Sequence, residues 1–232
     1  MKLNIEELLD FFDDKKDSQK GDANALMAMF GEDLNAAVYK IFRKNKVEIL
    51  EESVVQGFQG GKYLDRWILD KNNNILFQCE IKNWAATAIG GRQLKSDLRD
   101  KVAKEVVEYY WNRELRTNLS KDSKHFQPNH VTKVLLKMKS PKEYEILKVE
   151  PLLIYWMPIS KDIKGLNPQS FINIKELGLK NFETEFDKLQ IFSVSLYLRQ
   201  LYKNGKGQNF IDLEMPHFEH RMKILDKLQS KK

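Results

Sequence analysis

The chain has 232 residues, 42% of them hydrophobic, enough to bury the core of one large domain or of a core with an accessory lobe. Its formal net charge of +6 is uneven: residues 1–60 carry 8 Lys/Arg against 12 Asp/Glu, a balance of −4 that leaves +10 for the rest, which suits a polyanionic partner. The single cysteine, Cys79, excludes an intramolecular disulfide and fits a reducing cytoplasm, and no apolar run approaches the ~20 residues needed to span a bilayer.

Residues 1–12 are too acidic and too interrupted for a signal peptide and read as a short amphipathic helix. Residues 13–21 are charged and expected to be loop. Over residues 23–45, Leu26, Phe30, Leu34, Ala37, Val38 and Ile41 recur at helical spacing. Lys40, Arg43, Lys44 and Lys46 crowd the end of that helix, the pole that favours cations. Residues 47–53 read as a strand, and Gly57, Gly60 and Gly61 mark a loop.

Two β-prone runs, residues 64–69 and 75–82, then flank the polar stretch Asp70-Lys71-Asn72-Asn73-Asn74, the pattern of a β-hairpin. If Leu69 pairs with Leu76, Asp65 falls directly opposite Glu80. Such opposed side chains share a face, with Cβ atoms roughly 4.5–5.5 Å apart. Lys82 joins them because strand side chains alternate with period two. The other face would carry Leu64, Ile68, Ile75, Phe77, Cys79 and Ile81, which makes Cys79 a buried core thiol. Two carboxylates at that separation suit Mg²⁺, which takes one or two protein carboxylates and leaves its other positions to water and phosphate. Such a metal polarises a phosphoryl oxygen and lowers the pKa of bound water, while a neighbouring lysine can orient or deprotonate that water. The set favours phosphodiester hydrolysis.

Downstream, Gly90 and Gly91 would open a long helix that runs to about Leu115, and helix N-termini attract phosphate. Arg92, Lys95 and Arg99 recur on it at i, i+3 and i+7, a basic stripe that either contacts phosphate or is a solvated face balanced by Asp97 and Asp100. Residues 116–130, with His125 and His130, read as a polar connection, and residues 131–138 and 151–158 as further strands. An apolar run at 191–201, a turn at 203–207 and a terminal helix from about Met215 follow. His217 and His220 lack an HExxH context and read as solvated or capping residues. Trp67 and Trp84 read as packing residues before base-stacking ones. The absence of P-loop and dinucleotide glycine patterns argues against an NTPase or a dehydrogenase, and no Gly-x-Ser-x-Gly elbow occurs.

Asp65, followed by Glu80-Ile81-Lys82 at the end of the next strand, resembles the PD-(D/E)xK nuclease superfamily, which includes restriction endonucleases, Holliday-junction resolvases and repair nucleases. Upstream, Gly31-Glu32-Asp33-Leu34-Asn35-Ala36-Ala37-Val38-Tyr39 resembles the first helix of many members, and Val47-Glu48-Ile49-Leu50 the first core strand. Leu64 stands where the family has a proline. The likeness spans residues 25–140. It implies an α/β fold with a restriction endonuclease-like core, a mixed β-sheet flanked by helices. That core would occupy residues 23–160, after an N-terminal helix and loop (1–22) and before a C-terminal α/β extension (161–232).

By the same resemblance Asp65 and Glu80 are metal ligands, joined by the backbone carbonyl of Ile81. Lys82 is the catalytic lysine, Glu32 an accessory acid, and Gln93 a polar helper on the long helix. On an ideal helix Leu34, Ala37, Val38, Ile41 and Phe42 share a face that Glu32 does not, so Asp33 competes with it. The implied function is a Mg²⁺-dependent deoxyribonuclease, with Mn²⁺ as a substitute, acting on DNA in the cytoplasm without a membrane. The lean is restriction-like, since the extension can supply target recognition, and cutting both strands favours a homodimer. The alternative is an inactive module on the same fold that binds nucleic acid or a protein partner.

Overall fold

The computed structural model describes residues 1–13, 20–50, 54–55, 62–82, 134–157, 159, 169–175, 185–204 and 209–228. The chain opens with β1 (Lys2–Asn4), α1 (Ile5–Asp13) and α2 (Lys20–Phe42). Short strands β2 (Glu48–Ile49), β3 (Val54–Val55) and β4 (Lys62–Tyr63) precede β5 (Arg66–Asp70) and β6 (Ile75–Lys82). A 3₁₀ turn, Lys142–Tyr144, leads to β7 (Lys148–Tyr155), β8 (Phe171–Lys175) and β9 (Lys188–Ser193). The last elements are α3 (Val194–Asn204), β10 (Phe210–Asp212) and α4 (Pro216–Leu228).

The expected hairpin forms with the expected register: Leu69 pairs with Leu76 and Arg66 with Cys79. Asp70 closes its turn by accepting hydrogen bonds from the Asn73 backbone N–H (3.2 Å) and side-chain amide (2.9 Å). Asn74 completes it at φ 53°, a left-handed conformation that asparagine tolerates. Around this hairpin a mixed six-stranded sheet is ordered β2-β5-β6-β7-β9-β8. The β6–β7 and β7–β9 pairs are parallel, and the others antiparallel. The chain is therefore α/β, with four helices among the described residues. None of them is long and apolar enough to cross a membrane.

One face of the sheet buries Ile68, Phe77, Cys79, Ile81, Leu152, Ile154 and Phe192 against α1, α2 and α3. The helix expected over residues 23–45 runs from Lys20 to Phe42. It ends in a Schellman-type turn, where the Asn45 N–H donates to the Lys40 carbonyl at 2.9 Å and Lys44 and Asn45 adopt φ of 54° and 57°. Beyond it Arg43 reaches the Asp70 carboxylate at 2.5 Å, so the helix end is tied to the hairpin turn. Phe42 packs on Phe192 and Tyr197 across the same layer.

The apolar run at 191–201 divides at Ser193. Its hydroxyl donates to the Met157 carbonyl at 2.7 Å and accepts from the Leu196 N–H at 3.4 Å, an N-cap that turns strand β9 into helix α3.

Two expectations need correction. Leu64 packs with Trp67, Leu69, Leu76 and Met138 on the opposite face from Ile68, because the chain bends at Asp65 before β5 begins and alternation does not extend through the bend. Of the strand expected over 47–53, Glu48–Ile49 pairs with β5 and the Leu50 N–H donates to the Trp67 carbonyl at 2.8 Å, while 51–53 lie outside the described residues. No strand forms over residues 134–138; they make a turn and an irregular stretch whose backbone groups go to the Gln78 side chain.

Candidate active site

β5 stops pairing with β6 at Arg66↔Cys79, two residues short of the position opposite Ile81. In an antiparallel ladder alternate residues of a strand point their N–H and C=O toward a given neighbour. On β6 the Lys82 carbonyl faces β7, where it accepts from the Trp156 N–H at 3.0 Å. Ile81 therefore faces the β5 side, beyond the end of that strand's ladder. Its N–H is taken by a side chain: Asp65 Oδ2 accepts it at 2.6 Å. The bend that carries Asp65 is fixed in turn by Arg66, whose guanidinium donates to the Asp65 carbonyl at 2.6 Å.

The expected position of Asp65 opposite Glu80 lies one step past the last ladder pair, Arg66↔Cys79, and the bend brings the Asp65 carboxylate to the Ile81 N–H beside Glu80. Lys82 stands on the same face, its ammonium 2.5 Å from Glu80 Oε1, and both side chains are buried. Asp65, Glu80, Lys82 and the Ile81 backbone thus gather at the C-terminal end of β6.

Glu32 comes to this end of the sheet from α2. Its carboxylate lies 3.5 Å from Arg66, with the side chain 37% exposed. Asp33 is differently placed. It is buried and held between Arg66 at 2.8 Å and Arg221 of α4 at 3.2 Å, so it ties two helices to β5. Cys79, the β6 residue before Glu80, has its thiol buried in the core. Burial raises its pKa well above the ordinary thiol value; the Asp65 and Glu80 charges raise it further, Arg66 lowers it, and Glu32 adds a smaller push upward.

No family model, no curated protein and no solved structure matches this chain. The arrangement itself must carry the functional argument. Among the described residues no three His, Cys, Asp or Glu side chains form a metal-holding group. The oxygens that could serve as donors are the Asp65 and Glu80 carboxylates and the Ile81 backbone carbonyl, all of them hard. That set fits Mg²⁺, which keeps several waters and takes a substrate phosphate.

Arg92, Gln93, Lys95 and Arg99 lie outside the described residues, as do Trp84, His125 and His130. Trp67 is core, buried with Leu64 and Met138. His217 and His220 lie on α4, His217 partly and His220 fully exposed.

Two participants escaped the sequence reading. Arg66 sits at a core-facing position of β5, and a charge at such a position is a signal in itself, since it must find partners. Gln78 shares the face of Glu80 and Lys82 and is fully buried. Its amide donates to the carbonyls of Val134 and Leu136 (2.9 Å to the latter), and its carbonyl accepts from the Met138 N–H at 3.1 Å.

Proposed function

We propose that the protein is a Mg²⁺-dependent deoxyribonuclease with a PD-(D/E)xK, restriction endonuclease-like core. The observation that supports this most is the cluster at the end of β6, where Asp65 accepts from the Ile81 N–H at 2.6 Å and the neighbouring Glu80 carboxylate lies 2.5 Å from the Lys82 ammonium. Asp65, Glu80 and the Ile81 carbonyl would hold Mg²⁺, or Mn²⁺ in its place. The bound ion would supply Lewis acidity toward the phosphodiester and a water of lowered pKa. Asp65 is held for that role at both ends, its carboxylate by the Ile81 N–H and its carbonyl by Arg66. Lys82, confined beside Glu80, is placed to orient the attacking water and to balance the charge that develops on the phosphate. Glu32 would complete the acidic wall from α2.

The test is cleavage of plasmid, linear, single-stranded and branched DNA with Mg²⁺, Mn²⁺ or EDTA. Cleavage should require the metal, and Glu80→Ala or Lys82→Ala should lower the rate by about 10²-fold or more. Undiminished cutting by Glu80→Ala would overturn the assignment. DNA binding with no turnover on any substrate would favour the non-catalytic module instead.

A further inference from the structure

Helix α4 buries none of its own residues, yet one of its side chains reaches the charged groups beneath the site. Arg221 donates to the Met29 carbonyl of α2 and to Asp33 Oδ2, each at 3.2 Å. The other oxygen of that carboxylate, Oδ1, accepts from Nη2 of Arg66 at 2.8 Å. The second terminal nitrogen of Arg66, Nη1, donates to the Asp65 carbonyl at 2.6 Å. Asp65 in turn accepts the Ile81 N–H on its carboxylate at 2.6 Å. A continuous series of contacts therefore runs from α4 to Asp65, through a carboxylate and a guanidinium that are both buried.

We infer that Arg221 is a positioning residue for Asp65: by occupying Asp33 Oδ2, it leaves Nη1 of Arg66 to hold the Asp65 carbonyl. The inference rests on the nuclease reading above for what Asp65 does. A guanidinium beside a carboxylate favours a two-pronged pairing, in which two N–H groups meet two oxygens in parallel. Burial strengthens that preference, and Arg66 and Asp33 are buried. They nevertheless meet through one nitrogen and one oxygen, because Arg221 takes the other oxygen and the Asp65 carbonyl takes the other nitrogen. Without Arg221, a small rotation of the Arg66 guanidinium brings Nη1 to Oδ2 and draws it off the Asp65 carbonyl. The bend then loses this tie, and the Asp65 carboxylate leaves the Ile81 N–H. An element with no buried residue opens at low cost, so the docking of α4 also sets how much of the protein has Asp65 in place.

Hydrogen exchange at the Ile81 amide reads the placement of Asp65 and needs neither metal nor substrate. Arg221 is 46% exposed, so Arg221→Met leaves the fold intact. That variant should speed exchange at Ile81 about tenfold, the worth of one hydrogen bond. The Trp156 amide, bonded to the Lys82 carbonyl at the same end of the sheet, should keep its wild-type rate. Arg221→Lys still offers a cation to Oδ2 and should restore wild-type exchange at Ile81. Lys227→Met removes the same charge from an exposed position of α4 and should change nothing. In cleavage with Mg²⁺, Arg221→Met should lower kcat about tenfold or more and leave KM for DNA within about twofold, because Arg221 acts through Asp65.

Unchanged exchange at Ile81 in Arg221→Met, equal acceleration at Trp156, or no recovery with Arg221→Lys would overturn the inference while Mg²⁺-dependent cutting by the wild type still stood. Acceleration by Lys227→Met to the same extent would reduce the effect to net charge and overturn it as well. Selective acceleration at Ile81 in a protein that cuts no DNA would keep the positioning role and remove the nuclease.

Discussion

At the scale of single residues, the neighbours Glu32 and Asp33 separate two roles that the sequence leaves open. Asp33 is buried and held by two guanidinium groups, whereas Glu32 is more than a third exposed and meets that network at Arg66. Removing one partner from a buried ion pair strands the other charge at a cost of about 3–5 kcal/mol, while a partly exposed pair contributes about 0–1 kcal/mol. Arg66→Met should therefore lower stability by about 3 kcal/mol in urea denaturation. Glu32→Gln should shift it by less than about 1 kcal/mol yet reduce metal-dependent cleavage by about 10²-fold. A Glu32→Gln protein of normal activity would move the accessory acid elsewhere. The helical face pattern could not decide between the two acids, because it sorts apolar residues and is silent on which carboxylate meets an arginine from a strand 33 positions away.

At the scale of elements, the hairpin was the most legible part of the chain. Its turn residues, its alternation and its pairing all point to one register, and a slip of one residue would carry Glu80 and Lys82 to the wrong face. Alternation failed only at Leu64, where the chain bends ahead of the strand, and over residues 134–138. Those residues carry the apolar, β-prone composition of a strand, but a strand needs a neighbour's backbone, and here one glutamine side chain takes that place. Gln78 engages two carbonyls and one N–H of the segment. Gln78→Leu leaves those buried groups without their partner, at about 1 kcal/mol each, so a loss of about 3 kcal/mol is expected. Hydrogen exchange at the Met138 amide should accelerate more than exchange in β7, which keeps its ladder to β6 and β9. Equal acceleration across both segments would mean that Gln78 stabilises the fold globally and does not hold this crossing in particular.

At the scale of the whole molecule, the core beneath the site places an unusual constraint on pH. Cys79 and Tyr39 are buried in the same cluster, between the helices and the sheet. Burial raises both pKa values. The Arg43 guanidinium, which donates to the Tyr39 hydroxyl at 3.0 Å, offsets part of the effect on the tyrosine. A group whose folded pKa lies above its unfolded value keeps its proton in the native state while the unfolded chain gives its proton up. Unfolding then releases protons, and stability falls as pH rises above the unfolded pKa. The ordinary values are 9.0 for the thiol and 10.0 for the phenol, so the losses begin in that order. Each group should subtract about 1.4 kcal/mol per pH unit once its unfolded form ionises. Urea midpoints measured from pH 7 to pH 11 should thus hold level, decline above about pH 9, and steepen past about pH 10. Comparison with variants isolates each contribution from that of other surface groups. Cys79→Ala lowers stability below pH 9 by the cavity it leaves, but it should remove the first decline, and Tyr39→Phe should remove the second. If the Cys79→Ala and wild-type curves ran parallel through pH 9, the thiol would ionise as freely folded as unfolded. Cys79 would then not be sealed from solvent between the helices and the sheet.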